Sequence, residues 1–201
     1  VGSEMCIRDS NGSTLTLNDT DVIASGQISI GTGDTLSISS GRKLTHTGST
    51  LSLNGTISGA GRFVYRSATA LPTTGTISSI FVFDAKDGNQ TMSNRTYGGQ
   101  VEITNDSTTS ARTVTMSSST HTLSSNLYII ASTSQNITLA AASNDPTVNI
   151  TGDLDYTGTG AGSETITSGA GTWTVSGNVD FTSGTFTTES GNTLTMNGSS
   201  K

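Results

Sequence analysis

Apolar residues recur along this chain in pairs separated by a single residue, which is most often Ser or Thr. Alternation with a period of two predicts short β-strands that point two side chains inward and their hydroxyls outward. The pairs are Leu15/Leu17, Ile28/Ile30, Leu36/Ile38, Leu51/Leu53, Phe63/Tyr65, Val101/Ile103, Val114/Met116, Leu127/Ile129, Ile137/Leu139, Val148/Ile150, Leu154/Tyr156, Trp173/Val175, Val179/Phe181 and Leu194/Met196.

One segment near the C-terminus is an internal repeat that occurs twice. Residues 148–157 match residues 173–182 in residue type at each position, with an offset of 173 − 148 = 25 residues. A unit of this size cannot bury its own apolar face and must stack on copies of itself. The predicted inward ladders are Val148/Trp173, Ile150/Val175, Leu154/Val179 and Tyr156/Phe181, and the predicted outward ladder is Asp155/Asp180.

A second repeat, of the form Thr-Leu-Thr-Leu, gives a coil length. Leu15 and Leu36 are 36 − 15 = 21 residues apart, and Trp173 and Leu194 are separated by the same 21 residues. Pairs six to eight residues apart place three strands in each coil. Most corners are single Gly residues rather than the Asn-Gly turns of hairpins. The sequence predicts an all-β fold, a right-handed single-stranded parallel β-helix (β-solenoid) of about nine coils of 20–25 residues.

The alternation of apolar and polar residues is interrupted in the middle of the chain. Residues 67–76 contain Pro72 and no apolar pair, which predicts an irregular loop or a T-shaped excursion from the rod. The apolar run 80–83 follows, and we expect Phe81 and Phe83 to face inward, whereas the alternation does not assign Ile80 and Val82. The charged segment 84–89 comes next, and we expect a solvated turn there rather than a cation site.

Composition narrows the class of protein. Hydrophobic residues make up 31% of the chain and charged residues 12%, while Ser, Thr, Gly and Asn exceed half of it. Abundant Thr, Val and Ile with only two prolines argue for strands rather than disorder. A net charge of −6 with three lysines argues against nucleic-acid partners. No apolar stretch approaches the ~18 residues of a spanning helix, so we expect no membrane span.

Residues 1–10 stand apart from the rest. Val1 to Asp9 resembles the in-frame translation of a transposase sequencing adapter, with Ser10 completing the frame. We therefore expect residues 1–10 to be an adapter-derived artefact without a structural role, and residues 11–201 to form one β-solenoid fragment. Cys6 is the only cysteine. The fragment would then have neither disulfide nor cysteine metal ligand.

Two groups of motifs resemble known repeats. Gln90-Thr91-Met92, Thr96-Tyr97 and Val101-Glu102-Ile103 are similar to repeats of large secreted bacterial surface proteins, as are Thr122-Leu123 and Leu127-Tyr128-Ile129. The block 171–199 resembles the Trp-Thr-Val-Ser-Gly-Asn-Val-Asp repeats of giant surface proteins from metagenomic genomes. The resemblance implies an adhesin-like or autotransporter-passenger-like stalk at the bacterial cell surface or outside the cell. It implies a structural or adhesive role without catalysis, with surface glycans or neighbouring coils of a longer protein as partners.

Little in the sequence points to bound groups. Asp155 and Asp180, with Asp153 and Asn178 beside them, are a weak candidate for Ca²⁺, which prefers carboxylate and amide oxygens. The simpler interpretation is that such residues form turns and keep the rod soluble. We expect no catalytic residue and no cofactor.

Two alternatives use the same fold. β-Helical polysaccharide lyases and hydrolases need carboxylates beside basic residues, and a cleft of that kind would favour an enzyme. His46 and His121 are isolated from each other in sequence, and we expect both at the surface or in turns. Thr-x-Thr pairs such as Thr113/Thr115 also suggest an ice-binding face, although unequal coil lengths argue against a flat lattice.

Overall fold

The chain folds as an all-β parallel solenoid, which confirms the predicted fold class. The computed structural model describes residues 12–198 together with the backbone of Met5–Ile7. All strand pairs in these residues are parallel, and one short 3₁₀ helix, Ala85–Asp87, is the only helix among them. Asn11 and Ser10 lie outside the described residues. Met5–Ile7 forms a strand that pairs with Ile28–Ile30, within the segment expected to have no structural role.

Each turn of the solenoid contributes a strand to three faces. Face 1 contains β1 (Met5–Ile7), β4 (Ile28–Ile30), β7 (Leu51–Leu53), β12 (Gln90–Met92), β15 (Arg112–Met116), β18 (Ile137–Ala140), β21 (Glu164–Thr167) and β24 (Thr185–Thr187). Face 2 contains β2 (Thr14–Leu17), β5 (Thr35–Ile38), β8 (Thr56–Ser58), β10 (Thr76–Ile77), β13 (Thr96–Tyr97), β16 (Thr120–Leu123), β19 (Thr147–Ile150), β22 (Thr172–Val175) and β25 (Thr193–Met196). Face 3 contains β3 (Val22–Ala24), β6 (Lys43–His46), β9 (Arg62–Tyr65), β11 (Ile80–Asp84), β14 (Val101–Thr104), β17 (Leu127–Ile130), β20 (Leu154–Tyr156) and β23 (Val179–Asp180).

Face 3 runs unbroken through eight strands, so the described residues make about eight turns rather than the nine expected. The difference arises because later turns are longer than the sequence repeat indicates. Val101 pairs with Leu127 and Leu127 with Leu154, giving turns of 127 − 101 = 26 and 154 − 127 = 27 residues. At about 4.8 Å a turn the rod is roughly 40 Å long.

The duplicated segment stacks as its pattern predicts. Val148 pairs with Trp173, Ile150 with Val175, Leu154 with Val179 and Asp155 with Asp180. The rings of Tyr156 and Phe181 complete the ladder with their centroids 5.6 Å apart. These inward residues are buried in all but the last turn.

The interior is continuous, and its exceptions lie at its ends. Phe81 and Phe83 are fully buried as predicted, in a stack of aromatic rings with Phe63, Tyr65 and Tyr97. Among the described residues the exposed large apolar side chains are those of Leu15, Ile23 and Met196. Leu15 and Met196 are inward residues of the first and last strands of face 2, whereas Ile23 is exposed because it points outward, in register with Thr45.

Face 1 is interrupted between Arg66 and Gly75, which contain no strand. This segment occupies the place of a face-1 strand and is held by side chains of the next turn. Arg95 donates to the carbonyls of Pro72 at 2.6 Å and Gly75 at 2.8 Å, and Ser93 donates to Leu71. Leu71 is buried, so the loop closes the wall of the core and is not an excursion from the rod.

Corners combine close backbone approach with Asx side chains that bridge turns. A Cβ atom added to Gly177 would lie 2.5 Å from the carbonyl oxygen of Gly152, so only glycine fits this corner. The amide oxygen of Asn126 accepts from the backbone N–H of Asp153, whose carboxylate in turn accepts from Asn178 N–H. Asp153 is therefore a structural member of a corner ladder.

Both histidines are inside the core, and the expectation of surface or turn positions is wrong. His46 and His121 lie on β6 and β16 with fully buried side chains. Their positions are inward ones in the alternation, which the isolated histidines did not reveal because neither belongs to an apolar pair. Burial lowers the pKa of both imidazoles.

Candidate functional site: an ionic cleft on face 3

The charged side chains of the middle turns converge on the outer surface of face 3. Within residues 12–198, all three ion pairs lie here and join Arg62 to Glu102 and Arg66 to both Asp84 and Asp106. The strands that supply these side chains are successive members of one sheet, β9, β11 and β14. A cleft of about 360 Å³ opens between the two sets of ion pairs.

Asp84 is the most enclosed carboxylate of the cleft, with a side chain 1% exposed. One oxygen accepts from Arg66 Nε at 2.7 Å, and the other accepts from the backbone N–H groups of Lys86 and Asp106 at 3.1 and 3.2 Å. Burial raises the pKa of Asp84, and the nearby Asp106 carboxylate raises it further, against the lowering effect of Arg66. Asp84 was expected in a solvated turn; it is instead buried, where it caps the 3₁₀ helix and accepts from Arg66.

Glu102 forms the opposite side of the cleft. Its side chain is 3% exposed and accepts from Arg62 Nη1 with one oxygen and from Gln100 Nε2, at 2.6 Å, with the other. Arg62 reaches Glu102 across the intervening strand β11, since the two residues lie two turns apart. The side chain of Arg62 remains 47% exposed at the cleft rim.

Apolar side chains form the floor between the ion pairs. Val64 and Val82 point outward in register with each other, yet both are nearly buried. Ile130 and Ser132 close the cleft on the next turn, where Ser132 donates to the exposed carboxylate of Asp106. The sequence left Val82 unassigned; its place is this floor.

The hydrogen bonds limit what the cleft can do chemically. General acid or base catalysis needs a carboxyl group that reaches the substrate, and those of Asp84 and Glu102 are enclosed with both oxygens occupied. Asp106 is the accessible acid of the cleft, with a side chain 42% exposed. The arrangement suits binding of a polar ligand better than proton transfer.

The geometry gives little support to a calcium site at Asp155, Asp180 and Asp153. Asp155 and Asp180 are neighbours in register, but Asp153 is engaged in the corner ladder and Asp180 accepts from Thr182 N–H at 2.8 Å. Burial raises the pKa of Asp155, with Asp180 adding to the effect, while the Thr182 N–H lowers the pKa of Asp180. The described residues contain no group of three or more His, Cys, Asp or Glu side chains that could hold a metal ion.

Hydroxyl groups stack in columns on face 1. Thr113, Thr138, Thr165 and Thr185 are successive register partners, and a second column runs parallel through Thr115, Ala140, Thr167 and Thr187. Ala140 interrupts the hydroxyls of the second column, but both columns stay aligned because the unequal turn lengths are absorbed in corners. Unequal coils therefore do not break the array, and ice binding stays a hypothesis that a thermal-hysteresis measurement tests.

The sequence analysis missed the ionic cleft because its members are far apart along the chain. Arg66 and Asp84 are separated by 18 residues, and Arg62 and Glu102 by 40. Recurrence of charged residues at intervals of one or two coils was the available signal. This recurrence could not be recognised, because the irregular loop obscures the register between β9 and β11.

Comparison with models of known protein families, with curated proteins and with solved structures finds no match to this chain. No helix within the described residues is long and apolar enough to cross a membrane.

Proposed function

We propose that this chain is a structural and adhesive segment of an extracellular bacterial surface protein. The observation that carries the proposal is the combination of a continuous, largely apolar interior with stacked hydroxyl columns outside. The interior stabilises a stiff rod, because each turn buries the apolar edges of its neighbours. The columns supply closely spaced hydrogen-bond donors and acceptors for contact with another surface.

Cell-surface glycans are the partner class that we propose. Sugar hydroxyls both donate and accept hydrogen bonds, as do the Thr and Ser hydroxyls of the rod. The extracellular location is supported by the resemblance of the Trp-Thr-Val-Ser-Gly-Asn-Val-Asp block to bacterial surface repeats.

Binding and catalysis can be measured in one experiment. The full chain, coupled to beads, is incubated with neutral and acidic polysaccharides, and both the retained polysaccharide and the soluble cleavage products are quantified. We expect retention without cleavage. Retention of no glycan would contradict the adhesive role, and release of products would contradict the absence of catalysis.

A polysaccharide lyase or hydrolase is the second candidate, favoured by the carboxylates and arginines of the ionic cleft. Asp106 and Arg62 are the groups accessible to a substrate there. If cleavage products appear, D106N should abolish them, whereas a rod that only binds would release none in either form.

A further inference from the structure

A second hollow of about 370 Å³ adjoins the ionic cleft on face 3 and has fewer carboxylates in its lining. Its charged lining consists of Arg42, Lys43, Arg62 and Asp21, and it shares Lys43 and Arg62 with the ionic cleft. We call this hollow the basic hollow. It lies one to two turns nearer the N-terminus, where β6 and β9 begin.

Two cations of the basic hollow stand directly beside each other. Lys43 and Arg62 are register partners on neighbouring parallel strands, which lie about 4.8 Å apart. Like charges in such positions destabilise a sheet. Arg62 is neutralised by Glu102, but the ammonium of Lys43 has no ion-pair partner among the described residues.

Most carboxylate oxygens nearby already accept hydrogen bonds. Asp21 is the only carboxylate that lines the basic hollow, and one of its oxygens accepts from the backbone N–H of Lys43 at 2.9 Å. In the adjoining ionic cleft Asp84 and Glu102 have both oxygens occupied. The unused hydrogen-bonding capacity therefore consists mainly of donors on Arg42, Lys43 and the exposed edge of Arg62.

We propose that the basic hollow binds the negatively charged groups of an acidic polysaccharide, the carboxylate or sulfate that its sugars carry. Guanidinium and ammonium groups form strong charge-assisted hydrogen bonds with such anions, and a bound anion also relieves the repulsion between Lys43 and Arg62. This inference rests on the proposed adhesive function and specifies its ligand.

The register also sets the direction of the polymer. Lys43, Arg62 and Ile80 are successive partners on β6, β9 and β11, so their column runs along the axis of the rod. Half-buried Ile80 gives an apolar surface on which a sugar ring can rest beside the cations. The polysaccharide lies across the strands, with its anionic groups at Arg42 and Lys43.

Calorimetric titration tests the site with three probes: oligogalacturonate, which carries carboxylates, sulfated dextran oligomers, and neutral dextran of similar length. The wild-type chain is compared with R42Q/K43Q, and K86Q is the control because Lys86 is an exposed lysine on the 3₁₀ helix, outside the basic hollow. Circular dichroism of each variant checks the fold.

We expect at least one acidic probe to bind, with affinity reduced about tenfold or more in R42Q/K43Q and less than about twofold in K86Q. Raised salt should weaken binding further. The stronger acidic probe identifies the preferred anionic group. Equal binding of neutral dextran, or unchanged affinity in R42Q/K43Q, would overturn this site and leave the adhesive role standing. Absence of binding by all three probes would overturn the site, and the bead experiment then decides the adhesive role.

Discussion

The middle turns, from β9 to β14, and the duplicated turns around β19 to β23 have the same interior and different exteriors. In both regions apolar side chains stack in register inside the rod. Outside, the outward column of face 3 reads Val64, Val82 and Glu102 in the middle turns, with arginines beside it, but Asp155 and Asp180 in the duplicated turns. The difference shows that the repeated residues determine the shape of the rod, whereas residues that do not follow the repeat supply its charged surface.

The largest expected contrast comes from the same substitution in each region. D84A removes the acceptor of Arg66 Nε and of two backbone N–H groups, so it should lower the free energy of unfolding by about 3 kcal/mol. D155A removes an outward carboxylate beside another and should change the free energy of unfolding by less than about 0.5 kcal/mol. Urea unfolding of both variants measures the contrast, and equal losses would contradict it.

The irregular loop offers the next test, because the duplicated turns contain nothing equivalent to its arginine anchor. R95A removes the donors to Pro72 and Gly75 and should cost about 2 kcal/mol, with faster amide exchange in residues 66–75. R112A is a control outside the loop, since Arg112 contacts the carbonyl of Lys86. Unchanged exchange in residues 66–75 of R95A would show that another contact holds the loop.

Lowering the pH should weaken the turns that contain histidine. Burial lowers the pKa of His46 and His121, so the unfolded chain takes up protons first as the pH falls below about 6.5. Above that pH both states are neutral at these sites. Allowing for solvent screening, we expect a loss of about 1 kcal/mol between pH 7 and pH 5.5. H46L/H121L should remove this part of the slope in pH-dependent urea unfolding, and an unchanged slope would contradict the assignment.

Removal of the unpaired cation in the middle region should stabilise the rod slightly. K43Q relieves the repulsion with Arg62 and should raise the free energy of unfolding by about 0.3 kcal/mol at low salt. K86Q, the same change away from a like-charged partner, should have a smaller effect. A loss of stability in K43Q, measured by thermal unfolding, would mean that Lys43 is compensated within the protein.

Calcium should have the smallest effect, in the duplicated turns. Ca²⁺ takes six to eight oxygen ligands, and Asp153 and Asp180 already accept backbone hydrogen bonds. We expect the Tm to be the same with millimolar Ca²⁺ and with EDTA. A rise of several degrees that D155N removes would restore the calcium site.

Sequence periodicity predicted the interior well and the charged surface poorly, for a physical reason. Val148 and Trp173 could be paired because stacked inward positions require the same apolar character in successive turns. Arg62 and Glu102 carry no such repeat, since outward side chains are free to vary while the core stays filled. Their meeting depends on the register across residues 66–75, where the pattern gives no strand to count from.

The central claim is that charged residues that depart from the repeat, and not the repeat itself, supply the ligand site. Hydrogen exchange of the full chain, with and without saturating amounts of the stronger acidic probe, tests this claim directly. Protection should increase around Arg42, Lys43 and Arg62. Protection confined to the threonine columns of β15 to β24, with none around these cations, would contradict the claim.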